Sequence, residues 1–357
     1  MKNRITILVI LINTILVAQV DFRGRLSLQG NIRLSDTLYK GNVAAQYIPN
    51  LHLMRERKPG NIFDIEASAL GVVYYEDFTL KDTIRVYRLN GRFTTRQSEF
   101  QIGLKKINFG PAQLLRSLMW FEREDPTDPL NMAEGVWGLR YRYNFINNSN
   151  IWLWGLYGND KLKGWEAYTS IDNRPEFGGR VQTPVPFGEM AVTTHYRHAN
   201  NGVRDFQEGR IALDGRYDIF VGVWFEASVQ YQDIASPFHY TEMVTLGADY
   251  TFGLGNGLYV LGEHMMNRFG NEFIRAEQDA QLSAIMVSYP LGIFDSVSGM
   301  LFYSWEIDDW IQYVNWQRSY DRIVLNLSLF NFPHIPIALG TAGTGGYGLK
   351  FMLLYNH

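Results

Sequence analysis

Residues Phe22–Leu34 read FRGRLSLQGNIRL. Leu26, Leu28, Ile32 and Leu34 fall on even positions, and Arg23, Arg25, Ser27, Gln29, Asn31 and Arg33 on odd ones. Successive side chains of a β-strand point to opposite faces, so this period of two writes one apolar face and one wet face. The period returns near Val43–Met54, Ile62–Tyr75, Ile84–Arg96, Ser98–Phe109, Val136–Phe145, Ile151–Tyr157, Glu176–Thr183 and Glu189–Arg197. It continues near Phe206–Tyr217, Val221–Gln232, Thr241–Phe252, Leu258–Met266, Gln281–Tyr289, Val297–Trp305, Trp310–Trp316, Arg322–Leu329 and Tyr347–Tyr355. The pattern predicts about eighteen strands, with sixteen as the alternative, each roughly nine to twelve residues long, the length a tilted strand needs to cross hydrocarbon.

Composition favours the same reading. Aromatic residues make up 15% of the chain, glycines number 33, and yet mean hydropathy is only -0.16. No window after residue 18 approaches the roughly 18 uninterrupted apolar residues of a membrane helix. A chain can be aromatic-rich and only half hydrophobic when its apolar residues occupy every second position, which is how a transmembrane β-barrel is written. Residues 1–19 form a basic, then apolar, then small-residue segment, predicted to be a secretory signal peptide with cleavage after Ala18 or Gln19. Residues 20–357 are read as one barrel domain without an internal repeat. There is no cysteine, hence no lipoprotein anchor or disulfide, and a net charge of -3 argues against a nucleic-acid partner.

Connection lengths give an independent check. With the amino terminus at the periplasm, the even connections are short, as at Lys58-Pro59-Gly60, Asn147–Asn150, Pro184–Gly188 and Gly253–Gly257. The odd ones include every long segment: Tyr75–Thr83, Gly110–Gly135, Gly158–Pro175, Asn267–Ala280 and Asn331–Gly346. Long loops on one side and tight turns on the other mark an outer-membrane barrel, and a soluble sandwich has no reason to sort its loops by parity. Aromatics beside turns, such as Tyr143 and Phe145 or Tyr303 and Trp305, suit the headgroup level.

The longest interruption, Gly110–Gly135, reads GPAQLLRSLMWFEREDPTDPLNMAEG. A barrel of this strand number is too wide for wall side chains to fill. Leu114, Leu115, Leu118, Met119, Trp120 and Phe121 would be costly in bulk water, so the segment is predicted to fold into the lumen as a short helical turn against the wall.

The patches Gly110-Pro111-Ala112-Gln113, Leu115-Arg116, Asp125-Pro126, Asp128-Pro129-Leu130, Glu134-Gly135-Val136 and Trp137-Gly138-Leu139-Arg140 resemble outer-membrane barrels of the Bacteroidota. The similarity is to the porin-like group that includes alginate-export and phosphate-selective channels, and Glu176-Phe177-Gly178-Gly179-Arg180 and Gly188-Glu189 are similar in kind. The resemblance implies a channel in the Gram-negative cell outer membrane. Its end departs from the family habit of a terminal aromatic, finishing Tyr355-Asn356-His357.

Polar faces then suggest the pore chemistry. Arg88, Arg92, Arg96, Lys105, Arg140 and Arg142 are expected to make a basic wall, and Glu122, Glu124, Asp125 and Asp128 an acidic constriction loop. Opposed signs would orient dipolar solutes; the competing reading is that crowded lumen charges pair with one another. The expected activity is passive diffusion of small hydrophilic solutes, anionic or sugar-acid in character. Expected partners are outer-membrane lipid, the barrel assembly machinery and further copies in a homo-oligomer. Two alternatives compete: a non-conducting barrel anchoring a surface assembly, and a barrel-embedded lipid-modifying enzyme. For the enzyme, His195, His198, His239 and His264 are the candidate bases, but none sits in a nucleophile motif. The acidic run has no EF-hand spacing, so neither a metal nor a cofactor is expected.

Overall fold

The computed structural model describes residues 19–35, 38–76, 78–130, 132–234, 238–333 and 346–357. The expected signal segment therefore lies outside the described residues except for Gln19, as does most of the connection from Asn331 to Gly346. Among the described residues every regular element is a strand.

The first seven are β1 (Gln19–Ser35), β2 (Leu38–Lys58), β3 (Asn61–Glu76), β4 (Thr79–Thr94), β5 (Ser98–Lys105), β6 (Val136–Asn144) and β7 (Asn150–Leu156). A two-residue β8 (Thr169–Ser170) precedes β9 (Glu176–Val185), β10 (Gly188–Asn200), β11 (Asp205–Asp218), β12 (Gly222–Gln232) and β13 (Tyr240–Phe252). The rest are β14 (Leu258–Gly270), β15 (Gln278–Pro290), β16 (Asp295–Ser304), β17 (Asp309–Ser319), β18 (Ile323–Phe332) and β19 (Gly346–Asn356).

Apart from β8, each strand pairs antiparallel with the next, and β1 pairs with β19 from Arg25↔Asn356 to Leu34↔Tyr347, closing a barrel of eighteen strands. β8 is not part of the ring; it lies on the end of β10 through Ala199↔Ser170. Closure satisfies every ladder it joins, which is what a wall facing lipid requires. Outward positions are apolar and exposed, as at Leu28, Ile32 and Leu34 on β1 and Val192 on β10. T-shaped pairs Tyr143–Phe145, Tyr250–Phe252 and Tyr303–Trp305 stand beside turns, as the aromatic pattern suggested.

Three expectations change. The fifth strand stops at Lys105, not Phe109, because the chain leaves the wall there and enters the lumen. The connection after Tyr75 is no long loop, since β3 runs to Glu76 and β4 starts at Thr79. The Gly110–Gly135 segment does fold inward, but as irregular turns, with no helical turn among its described residues. Its apolar run is nonetheless buried, with Leu115 at 0% and Leu118 at 1% exposure.

Candidate functional site

What seats the inward loop is a pair of wall carboxylates. Glu263 on β14 accepts hydrogen bonds from the backbone N–H of Gln113 (2.7 Å), Leu114 (2.9 Å) and Leu115 (2.5 Å), and from the Trp224 indole at 3.0 Å. Glu226 on β12 accepts from the N–H of Ala112 at 3.0 Å and of Leu118 at 2.9 Å. Thr245 on β13 donates to the Leu115 carbonyl at 2.7 Å. An irregular segment has no ladder of its own, and a buried N–H must find an acceptor; here the wall supplies it. Gly110 is required at the entry, because its φ is +94° and a Cβ there would meet Glu226 Oε1 at 2.3 Å.

Apolar packing completes the seat. Ala112, Leu114 and Leu115 join Trp224, Met243, Leu261, Met265, Leu282, Phe302 and Ile311 of the wall in one cluster. Leu118, Trp120 and Phe121 pack with Phe109, Trp154 and Leu156 in a second. Phe121 meets Trp154 edge-on at 5.6 Å and His195 at 4.9 Å between ring centroids.

A second loop, residues 158–175, lies on the first. Trp165 donates through Nε1 to the Arg116 carbonyl at 2.7 Å and through its backbone N–H to the Met119 carbonyl at 3.2 Å. Gly164, at φ +45°, is the point of closest approach: a Cβ would lie 1.8 Å from the Met119 oxygen. Beneath it runs a buried ionic chain. Lys163 holds Glu176 at 2.9 Å, Glu176 meets His195 at 3.1 Å, Arg197 forks onto Glu208 at 2.6 and 2.8 Å, and Glu166 sits between Arg197 (3.2 Å) and Arg210 (3.4 Å). Burial pushes the Glu166 carboxyl up from its ordinary value, opposed by Arg197, Lys163 and Arg210.

The residues expected to form the pore fall into two groups that scarcely meet. Glu122 and Glu124 are held by Arg116 at 2.9 and 2.6 Å, and Lys106 reaches both, so these acids find their cations within the loop segment. Burial raises the Glu122 carboxyl above its ordinary value, with Arg116 the largest opposing influence. Asp125 caps a turn through the Thr127 N–H at 2.8 Å, and Asp128 lies 3.5 Å from Lys350 on β19. Arg92 pairs with Asp64 at 2.9 Å, Arg140 with Glu99 at 2.5 Å, and Arg140 and Arg142 both cover the Trp152 ring. Arg88 donates to the Ala133 carbonyl at 2.7 Å, tying the return of the loop to β4. Arg96 sits in the turn beyond β4, beside Gly60. Lys105 is buried, with its ammonium on the carbonyls of Gln101 (3.1 Å) and Gly138 (2.9 Å).

Acidic loop and basic wall are thus not face to face in ion pairs. The loop leans on the acidic and apolar wall of β12–β17, and Glu122, Glu124, Arg92 and Arg140 each have an oppositely charged partner nearby. Sequence reasoning missed Glu263, although a lone carboxylate between Leu261 and Met265 on one strand face is an unusual sight in an apolar row. It also missed Arg85. A bulge between Ser68 and Ala69 on the β3–β4 ladder shifts the parity, so Arg85 pairs with inward Leu70 and bonds Glu134.

The histidines are hydrogen-bonded. His195 accepts from the Trp154 indole at 3.2 Å, His198 meets Arg174 at 3.1 Å, and His239 meets the Gln232 carbonyl at 3.1 Å. His264 meets its cross-strand partner Ser283 at 2.9 Å through Nδ1, on the outward face.

No family model matches the sequence, and no curated protein does. Solved structures do match in fold. OccK2 (OpdF) of Pseudomonas aeruginosa superposes with a TM-score of 0.65 at 11% identity, over 95% of this chain and 97% of that one. The anion-selective porin of Comamonas acidovorans gives 0.56 at 10% identity, over 95% and 100%. OmpF of Salmonella typhi gives 0.55 at 11% identity, over 97% and 99%. The chain has the fold of outer-membrane porins.

Proposed function

We propose that this protein is a channel of the Gram-negative outer membrane, exported by its amino-terminal signal segment, through which small hydrophilic solutes diffuse passively, anionic or sugar-acid solutes being favoured. The observation that carries the reading is the division of the lumen. Two inward loops and their apolar clusters occupy the side bounded by β7 and β9–β17. The side bounded by β1–β6 and β19 is lined chiefly by polar side chains, interrupted by Ile48, Leu70 and Met352. Along it a cavity of about 430 Å³ is lined by Asp21, Arg23, His52, Asp64, Glu66 and Arg92 among others. Arg92 keeps 40% of its side-chain surface exposed there, so its positive charge faces the water path. Arg88, Arg92, Arg96, Arg140 and Arg142 act along that wall, with Glu124, Asp125 and Asp128 at the loop margin. In a pore bounded by low-dielectric walls, the arginine rows of β4 and β6, which outnumber Asp64, Glu66 and Glu99 on the same wall, would raise the local concentration of anions. Placement in the Bacteroidota porin-like group, insertion by the barrel assembly machinery and a homo-oligomeric state belong to the same reading; the first rests on the loop motifs.

Planar-bilayer recording of the refolded barrel tests it. We expect ohmic conductance, a reversal potential of anionic sign in a salt gradient, and a larger conductance when residues Leu114–Asp128 are deleted. Replacing Arg88, Arg92 and Arg96 by Ser should reduce the anion preference; an unchanged reversal potential would refute the role of the ladder. A silent barrel that conducts only after the deletion would favour the non-conducting anchor.

A further inference from the structure

We infer that the barrel wall carries a lateral site for the phosphate headgroup of an anionic membrane lipid, in the notch above β5–β7. The notch follows from strand length. β5, β6 and β7 have 8, 9 and 7 residues, whereas β3 and β4 have 16 each. β4 pairs with β5 from the turn at 95–97 only as far as Leu89↔Leu104 and runs on to Thr79, so the missing height is on the side of the long loops. A tilted strand needs about nine to eleven residues to cross the hydrocarbon. On β6 the outward apolar row runs only from Tyr143 to Trp137. At seven to nine residues the wall here only just meets or falls short of that length, and Trp137, at 40% exposure, marks the headgroup level.

Beside this low wall stands the edge of β4. It pairs with β5 only from Leu89↔Leu104 to Thr94↔Glu99, so from Leu80 to Arg88 its ladder partner among the described residues is β3 alone. Ile84 on that stretch is 82% exposed and Val86 52%, which is ordinary against acyl chains and costly against water. Between this edge and the loop segments 132–137 and 158–163 lies a cavity of about 490 Å³. Its lining mixes two kinds of position. Val86, Leu104 and Trp137 belong to the lipid-facing side of their strands, while Phe121, Val136 and Lys163 belong to the lumen filling. The cavity therefore opens through the plane of the wall.

Its charged rim is what selects the occupant. Arg85, Arg123 and Lys161 line it with Glu134 and Asp160. Lys163 is already engaged by Glu166 and Glu176. Three cations against two acids, above an apolar floor at headgroup depth, fit a phosphodiester with its acyl chains along Val86, Leu104 and Trp137. A lumen solute would have no use for the apolar floor.

The test is native mass spectrometry of the detergent-solubilised full barrel with phosphatidylglycerol, phosphatidylcholine or inorganic phosphate. We expect phosphatidylglycerol to be retained over phosphatidylcholine, and retention to fall about fivefold for each cation removed, in Lys161→Ser and Arg85→Ser. Trp137→Ala should weaken both lipids alike. Equal retention of the two lipids, or displacement of phosphatidylglycerol from the unaltered protein by millimolar inorganic phosphate, would overturn the proposal, the latter pointing to a solute site. Both of those readings use the unaltered protein, so they hold even where a variant fails to assemble. Co-purification of a peptide strand on the β4 edge in place of lipid would overturn it as well.

Discussion

The inner faces of β1–β4 and of β13–β17 obey the same period of two, yet they carry opposite chemistry. The first presents Arg25, Gln29, Asn31, His52, Asp64, Glu66, Asn90 and Arg92 to the lumen. The second presents Met243, Leu261, Met265, Leu282, Ala284, Phe302 and Ile311, with Glu263 among them. The difference teaches what each wall faces. One meets water and must keep its charges paired and hydrated; the other meets the inward loop and behaves as half of a protein core. In a wide barrel the inner surface is not one environment, and the loop decides where the boundary falls.

The sharpest way to break this division is to remove the carboxylates that fix the loop to its wall. With Glu226→Leu and Glu263→Leu together, the N–H groups of Ala112, Gln113, Leu114, Leu115 and Leu118 and the Trp224 indole lose their acceptors. Each buried donor left unsatisfied costs ~1–3 kcal/mol, so the loop should leave its seat instead of bearing the sum. The expected outcome is conductance approaching that of the loop deletion and new protease cleavage between Leu114 and Asp128. Unchanged conductance and protection would show that apolar packing alone holds the loop.

Next in size is the ionic chain under the second loop. Arg197 and Glu208 are both 0% exposed, and Arg197→Met leaves Glu208 and Glu166 with fewer cations in a dry site. Breaking one partner of a buried pair costs ~3–5 kcal/mol. Urea unfolding of the refolded barrel should move to lower midpoint by a corresponding amount. The parallel change on the water-facing wall, Arg92→Ser, should cost clearly less, because 40% of that side chain is exposed and solvent screens the loss. Its effect should instead appear as reduced anion preference. Equal stability costs for the two changes would erase the contrast between the walls.

The outward half of this barrel was legible because lipid makes a single demand on every strand. Alternation placed all eighteen wall strands, and the apolar run from Leu114 to Phe121 put Gly110–Gly135 inside the lumen. The inward half was legible only where it faces water. On β15, inward Leu282, Ala284 and Met286 alternate with outward Ile285 and Val287, so both faces are apolar and the period carries no sign. Pairing partners were hidden for a different reason. Arg116 meets Glu122 and Glu124 within the loop, Asp128 meets Lys350 across the barrel, and a bulge brings Arg85 into phase with Arg88. Such contacts depend on how an irregular segment folds back, which periodicity does not encode.

The smallest expected effect concerns Glu122, which lies in the loop on the boundary between the two environments. Its carboxyl is 2% exposed, bonded to Arg116, and raised above its ordinary value chiefly by burial. A raised folded value means that the folded state binds the proton more tightly than the unfolded chain, where Glu titrates near ~4.3. The stabilisation it provides is therefore complete below the unfolded value and is lost as pH rises through the folded one. Glu122→Gln keeps an acceptor for Arg116, removes the like charge beside Glu124 and cannot titrate. It should change stability by less than ~1 kcal/mol. Relative to the unaltered protein it should gain as pH rises, so urea midpoints compared at about pH 5 and about pH 8 should favour the variant more at the higher pH. A variant that instead loses ground as pH rises would mean that the ionised carboxylate, held by Arg116 and Lys106, outweighs the cost of burying it, and that the loop here behaves like the water-facing wall.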